Sequence, residues 1–196
     1  MKKLSKTILF YSLLLFAFTV GNAQESSINL ESSNIRWYGE QITGKEHFGD
    51  LKFKAGNIII KDNSVVSGEF IVDMTSMSVE DLSGGMKEKL EGHLSSDDFF
   101  STKNFTESKL VITENTGVTD GVQSLNGSLT IKDIEYPIAF TMTLAGGAAK
   151  SNLTFDRSKY NVKFRSDNFF ENLGDKLILD DIKLEVNLVM NAEEVI

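Results

Sequence analysis

The feature that most constrains this chain is a repeated two-residue alternation of apolar and polar side chains. Ile138, Phe140, Met142 and Leu144 alternate with Ala139, Thr141 and Thr143. Ile182, Leu184, Val186, Leu188 and Met190 alternate with Lys183, Glu185, Asn187 and Val189. Leu125, Leu129 and Ile131 keep the same rhythm against Ser124, Asn126, Ser128 and Thr130. A looser version sets Val66, Phe70, Val72 and Met74 against Ser67, Glu69, Ile71 and Asp73. Successive side chains of an extended chain point to opposite faces, so this pattern predicts strands with one dry and one wet face. Further strands are predicted over residues 35–43, 47–55, 57–61, 109–113 and 150–155. Turn-forming residues stand between runs at Lys61-Asp62-Asn63, Lys132-Asp133 and Ala145-Gly146-Gly147. The fold class is therefore all-β, as a two-sheet sandwich or a closed barrel of about eight strands. Periodicity does not choose between them.

One segment departs from the rhythm. Met86, Leu90 and Leu94 recur every fourth residue, with Lys87, Glu88, Lys89 and Glu91 between them. That spacing predicts a short amphipathic helix, with Ser83 as N-cap and Gly92 ending or bending it. Asp97-Asp98-Phe99-Phe100 follows, and reads as a segment crossing from water into an apolar site.

The N-terminus carries the three-part pattern of a secretory signal. Lys2, Lys3 and Lys6 precede an apolar run over residues 8–20, and Gly21-Asn22-Ala23 supplies small residues for cleavage. The run is short for a bilayer span of about 20 residues, so residues 1–23 are expected to be removed, leaving no stable membrane anchor. The mature domain would then cover residues 24–196, in the bacterial periplasm or secreted. The full chain has 20 basic and 28 acidic residues; the signal takes three lysines and no acid, leaving 17 basic and a net charge of −11. Such a balance argues against nucleic acid and against electrostatic docking on anionic headgroups. No cysteine is present, so neither disulfides nor a lipid-modified cysteine enter the argument.

Signals for catalysis are sparse. The histidines are His47 and His93 alone, and no HExxH, GxSxG, P-loop or GxGxxG segment occurs. A metal-dependent enzyme would need both histidines plus carboxylates. The plainer readings make His93 a partner for helix-terminal carbonyls and His47 a half-buried, hydrogen-bonded strand residue. No catalytic residue, metal or cofactor is expected.

Six segments, in order along the chain, resemble the YceI-like proteins. Gly44-Lys45-Glu46-His47-Phe48-Gly49 resembles their GxxHxG element, and Phe70-Ile71-Val72-Asp73-Met74-Thr75-Ser76-Met77 their FxVDMxSI strand end. Residues 89–100, KLEGHLSSDDFF, are similar to KLxGHLKSxDFF. Residues 127–132 with Pro137-Ile138 resemble GxLTIxGxxxPV, Asp156-Arg157-Ser158-Lys159-Tyr160 a DRSxY element, and residues 169–176 an FFENLGDK segment. Departures fall at Ser95, Ser101, Asn104-Phe105-Thr106 and Asp133, all in or near connections. The resemblance implies an extended eight-stranded antiparallel lipocalin-like barrel with a short helical insertion. It also implies a periplasmic binding protein that holds an apolar lipid or isoprenoid-like amphiphile in the lumen, with a homodimer as the candidate assembly.

On that reading Trp37, Phe53, Phe70, Phe140, Met142 and Phe155 line the lumen, and Phe99 and Phe100 close one end. His47, Arg157 and Tyr160 are candidates to hydrogen-bond a headgroup, while an ion pair with a nearby aspartate is an equal reading for Arg157. Each buried methylene of a tail would contribute about 0.8 kcal/mol, so a dry lumen suffices without polar contacts along it. Two alternatives stand beside the carrier: a stress-related envelope protein whose barrel is filled and holds no ligand, and a metal-dependent enzyme using His47 and His93.

Overall fold

The structure is a computed structural model, and it describes residues 23–191; the secretory signal expected over residues 1–23 falls almost wholly outside them. Nine strands form: β1 (Gln24–Ser27), β2 (Asn34–Glu40), β3 (Glu46–Lys61), β4 (Ser64–Asp73), β5 (Glu107–Thr119), β6 (Val122–Ile131), β7 (Ile134–Ala145), β8 (Ala148–Asp156) and β9 (Asp181–Val189). Among the described residues one α-helix, α1 (Gly84–Ser95), lies between β4 and β5. All pairings are antiparallel, and the order β3-β2-β9-β8-β7-β6-β5-β4 returns to β3 through the β3–β4 pair. The sheet is thus a closed eight-stranded barrel. β1 extends it by pairing with the far half of β3, on the edge that β2 leaves free.

Local chemistry explains the hairpins. Asp62-Asn63, Asp120-Gly121, Lys132-Asp133 and Gly146-Gly147 all carry positive φ at both central residues. That backbone twist matches the twist of the flanking strands, which is why two-residue hairpins select it. Asp133 holds φ at 58° without a glycine, as the short side chains of Asp and Asn permit.

Several expectations need correcting. Residues 47–55 and 57–61 are one strand, β3, bent by a bulge at Lys54 where Phe53 faces Val72 and Ala55 faces Ile71. β2 stops at Glu40 rather than at residue 43, because residues 41–45 turn, with Gln41 N donating to Lys45 O at 2.9 Å. A second bulge puts Val66 between the pairs Ile59–Ser67 and Ile60–Val65. The extra residue flips the phase of the alternation, so Val65 is buried and Val66 faces out. α1 runs through Gly92 to Ser95, and its last turn is closed by Ser96, whose Oγ donates to His93 O at 2.7 Å. Ser83 sits at the N-cap without a capping bond, and Met86 faces solvent.

The barrel is packed unevenly. At the end that carries the two-residue hairpins after β3, β5 and β7, Ile58, Val65, Ile112 and Leu125 fill the interior. Gln123 is buried among them, where its Oε1 accepts from Val65 N at 2.7 Å and from Asn115 Nδ2 at 2.8 Å. The opposite end is roofed by α1, by the Phe99-Phe100 turn, and by the segment between β8 and β9. Two cations fasten that roof. Arg157, fully buried, donates to Val162 O, Ile178 O and Leu179 O at 3.0–3.3 Å. Lys132, in a hairpin, donates to Phe99 O at 3.0 Å and Asn161 O at 3.2 Å, and burial pushes its ammonium below the ordinary lysine range.

Candidate functional site

Between the packed end and the roof lies a cavity of about 260 Å³. Its walls are the inward faces of the strands, which is where the alternation of β7 and β9 is resolved into function: Phe140 and Met142 point into it from one side, Ile182, Leu184 and Leu188 from another. Of the residues expected to line or close the lumen, Trp37, Phe53, Phe70, Phe99, Phe100, Phe140, Met142 and Phe155 all border this space. His47 borders it too.

Arg157 and Tyr160 do not border it, and neither is placed to reach a headgroup there. Arg157 is occupied by three carbonyls, an ion pair to Asp180 Oδ1 at 3.0 Å without hydrogen-bond geometry, and the Phe99 ring at 5.4 Å. Burial lowers its pKa against the attraction of Asp180, Asp156 and Asp167. Of the two readings for Arg157, the structure carries the ion pair. Tyr160 is buried with its ring edge-on to Phe155 and Tyr136, and burial pushes its hydroxyl up to about 12.

His47 and His93 both border the cavity but are held differently. His47 Nδ1 lies 2.6 Å from Asp81 Oδ2, and Phe48 N donates to Asp81 Oδ1 at 3.1 Å. Burial alone would raise the Asp81 carboxyl; the bonds from His47 and Phe48 N outweigh it and hold the group below its ordinary range. This ties the start of β3 to the crossing segment after β4. A carboxyl lowered on folding stabilises above its unfolded pKa, and that contribution fades as pH falls through the lower, folded value. Asp81→Asn is therefore expected to lower stability at neutral pH and to lose less on acidification below about pH 4 than the parent. Urea midpoints measured across that range check it; equal acid slopes for the two proteins would contradict it. His93 instead packs edge-on against Phe164 at 4.3 Å and Phe99 at 5.4 Å, and its own helix-terminal carbonyl accepts from Ser96 Oγ. Among the described residues no group of three or more His, Cys, Asp or Glu side chains is arranged to hold a metal ion.

Sequence reasoning missed part of the wall. Leu90 and Leu94 were legible as the apolar face of a helix, though nothing in the pattern said that this face roofs a cavity. Phe164, Arg165 and Ile178 also border it. They come from the irregular segment between β8 and β9, where no periodicity exists to read.

An antiparallel barrel closed on itself around an apolar internal cavity is the architecture of a small-molecule binding barrel rather than of a solid sandwich. The chain belongs to the YceI-like domain family, whose model matches residues 22–190. No curated protein matches the sequence. Among solved structures, Burkholderia cenocepacia BcnA is similar with a TM-score of 0.66 at 17% identity, over 84% of this chain and 99% of that one. A polyisoprenoid binding domain from Saccharophagus degradans is similar with a TM-score of 0.56 at 13% identity, over 88% of this chain and 100% of that one. The Campylobacter jejuni YCEI protein is similar with a TM-score of 0.53 at 13% identity, over 98% of this chain and all of that one. At these identities the likenesses establish the fold.

Proposed function

We propose that the chain is a non-catalytic carrier that holds a long-chain or isoprenoid-like amphiphile in the roofed half of its barrel, in the periplasm or outside the cell. The observation that carries this is the cavity itself: about 260 Å³ of space walled mainly by aromatic and aliphatic side chains, kept open in a barrel whose other half is packed. Apolar side chains collapse onto one another unless a framework prevents it, and dry space of this kind accepts apolar guests. Membership in the YceI-like family, and the polyisoprenoid-binding neighbour, support the choice of ligand class. Among the described residues no helix is long and apolar enough to cross a membrane.

Displacement of a fluorescent lipid probe by a prenyl or alkyl amphiphile tests the reading directly. Phe140→Ala separates it from a filled barrel. In a solid core that change costs about 3–5 kcal/mol; at a cavity wall, with contacts on fewer sides, a loss of about 1–3 kcal/mol is expected together with weaker probe binding. Thr141→Ala, on the outer face, should change neither. Severe destabilisation by Phe140→Ala in a protein that binds no probe would sink the carrier reading. Export makes its own prediction: envelope protein should begin at Gln24, and an N-terminus still at Met1 would contradict it.

A further inference from the structure

Two of the charged groups around the cavity are already paired. Lys109 meets Glu69 at 2.9 Å and His47 meets Asp81 at 2.6 Å. Arg165 is the cation among the cavity's charged side chains that enters no ion pair. It borders the cavity, it is half buried, and the ion pairs of the described residues all belong to other cations. Its guanidinium carbon lies 5.0 Å from the centroid of the Phe164 ring, the same ring against which His93 packs at 4.3 Å. Two hydrogen-bond donors of the wall therefore pack on one aromatic ring. Glu40, the carboxylate in the wall, forms no ion pair with Arg165.

The backbone adds a second, independent observation. Arg165 has φ of 52°, in the left-handed region that a residue with a Cβ enters at a cost. The hydrogen bond from Ile178 N to Arg165 O at 3.0 Å holds it there, beside the fully buried Ser166. Of the described non-glycine residues with positive φ, Arg165 is the one that borders the cavity, and strain of this kind is often kept where a side chain must be held toward a ligand.

We propose that Arg165 receives the anionic head of a single-tailed amphiphile, a carboxylate or phosphate monoester, while the tail fills the cavity. This rests on the carrier reading and narrows its ligand to acids over neutral alcohols. A guanidinium binds either oxyanion through paired N–H donors, and partial burial strengthens the bond relative to water.

The test compares dodecanoate, dodecyl phosphate and 1-dodecanol as competitors of a fluorescent lipid probe, on the parent, Arg165→Lys and Arg165→Gly. The parent is expected to bind either acid about tenfold more tightly than the alcohol, the size of one charge-assisted hydrogen bond. Arg165→Gly, which relieves the backbone cost and is expected to fold at least as well, should lose that preference while keeping its affinity for the alcohol. Arg165→Lys should retain part of it. A preference of one acid over the other would separate a carboxylic from a phosphorylated ligand. Equal affinity for acids and alcohol in the parent, or an acid preference unchanged in Arg165→Gly, would overturn the Arg165 assignment and leave the carrier reading standing. Binding of none of the three would overturn both.

Discussion

Arg157→Leu is expected to lose about 3–5 kcal/mol of folding stability, the largest effect of any single change considered for this barrel. The side chain is fully buried. Its guanidinium supplies donors to Val162 O, Ile178 O and Leu179 O, and its charge faces Asp180 at 3.0 Å. Leucine fills much of the space but leaves three carbonyls without their donor and a part-buried carboxylate without its cation. Removing one partner of such a set costs far more than the set contributes when complete, because the groups left behind remain desolvated. Ser166 Oγ at 2.6 Å and Asn168 Nδ2 at 2.8 Å still donate to Asp180 Oδ2, so Asp180→Asn should cost less than Arg157→Leu. Because Ile178 and Phe164 border the cavity from the segment that Arg157 fastens, probe affinity should fall with stability. Urea unfolding with lipid-probe titration measures both; a loss under about 1 kcal/mol would show that the network is not what holds the roof.

Gly49→Ala is expected to be nearly as damaging, by about 3 kcal/mol, from one methyl group. A Cβ at this position would stand 1.8 Å from Ser78 O, 2.7 Å from Ser78 C and 2.9 Å from Trp37 Cζ2. The first two are backbone atoms and cannot swing aside. Either β3 bends away or the crossing segment lifts off, and the latter breaks the bonds from Trp37 Nε1 to Ser78 O at 3.1 Å, Ser78 N to Asp50 O at 3.0 Å and Glu80 N to Phe48 O at 2.8 Å. Trp37 is the sole tryptophan, so its emission should shift to the red as the indole loses its partner and meets water. Gly39→Ala is the matched control: its Cβ would lie 3.6 Å from Ile182 Cδ1, ordinary contact, and stability should hold within about 0.5 kcal/mol. Equal behaviour of the two alanine variants would refute the argument from close approach.

These two positions also show where reading the chain succeeds. Gly49 and Arg157 both sit in segments that resemble the YceI-like pattern, and for Arg157 the ion pair, one of its two readings, is the one the structure carries. The glycine of the GxxHxG element is a clearance for a crossing carbonyl. The arginine of the DRSxY element faces carbonyls and an aspartate, and the cavity lies elsewhere.

What the sequence by itself determined is the local geometry. Period two in Ile138, Phe140, Met142 and Leu144 assigns one face of a strand to the dry side, because side-chain direction alternates whatever the strand pairs with. The same holds for the turn residues at Asp62-Asn63 and Gly146-Gly147, whose positive φ is a property of the residues themselves. What only the tertiary structure decided depends on what lies across from those residues. Val66 changes face because β4 carries one more residue than β3 opposite it, a fact of pairing that no single strand encodes. Phe164, Arg165 and Ile178 meet because β8 and β9 pair and close the segment between them into a roof. Alternation says which side chains leave the water; whether they then meet each other, as at Ile58 and Leu125, or face empty space, as at Phe140, is set by the circumference of the closed barrel and the placement of its roof.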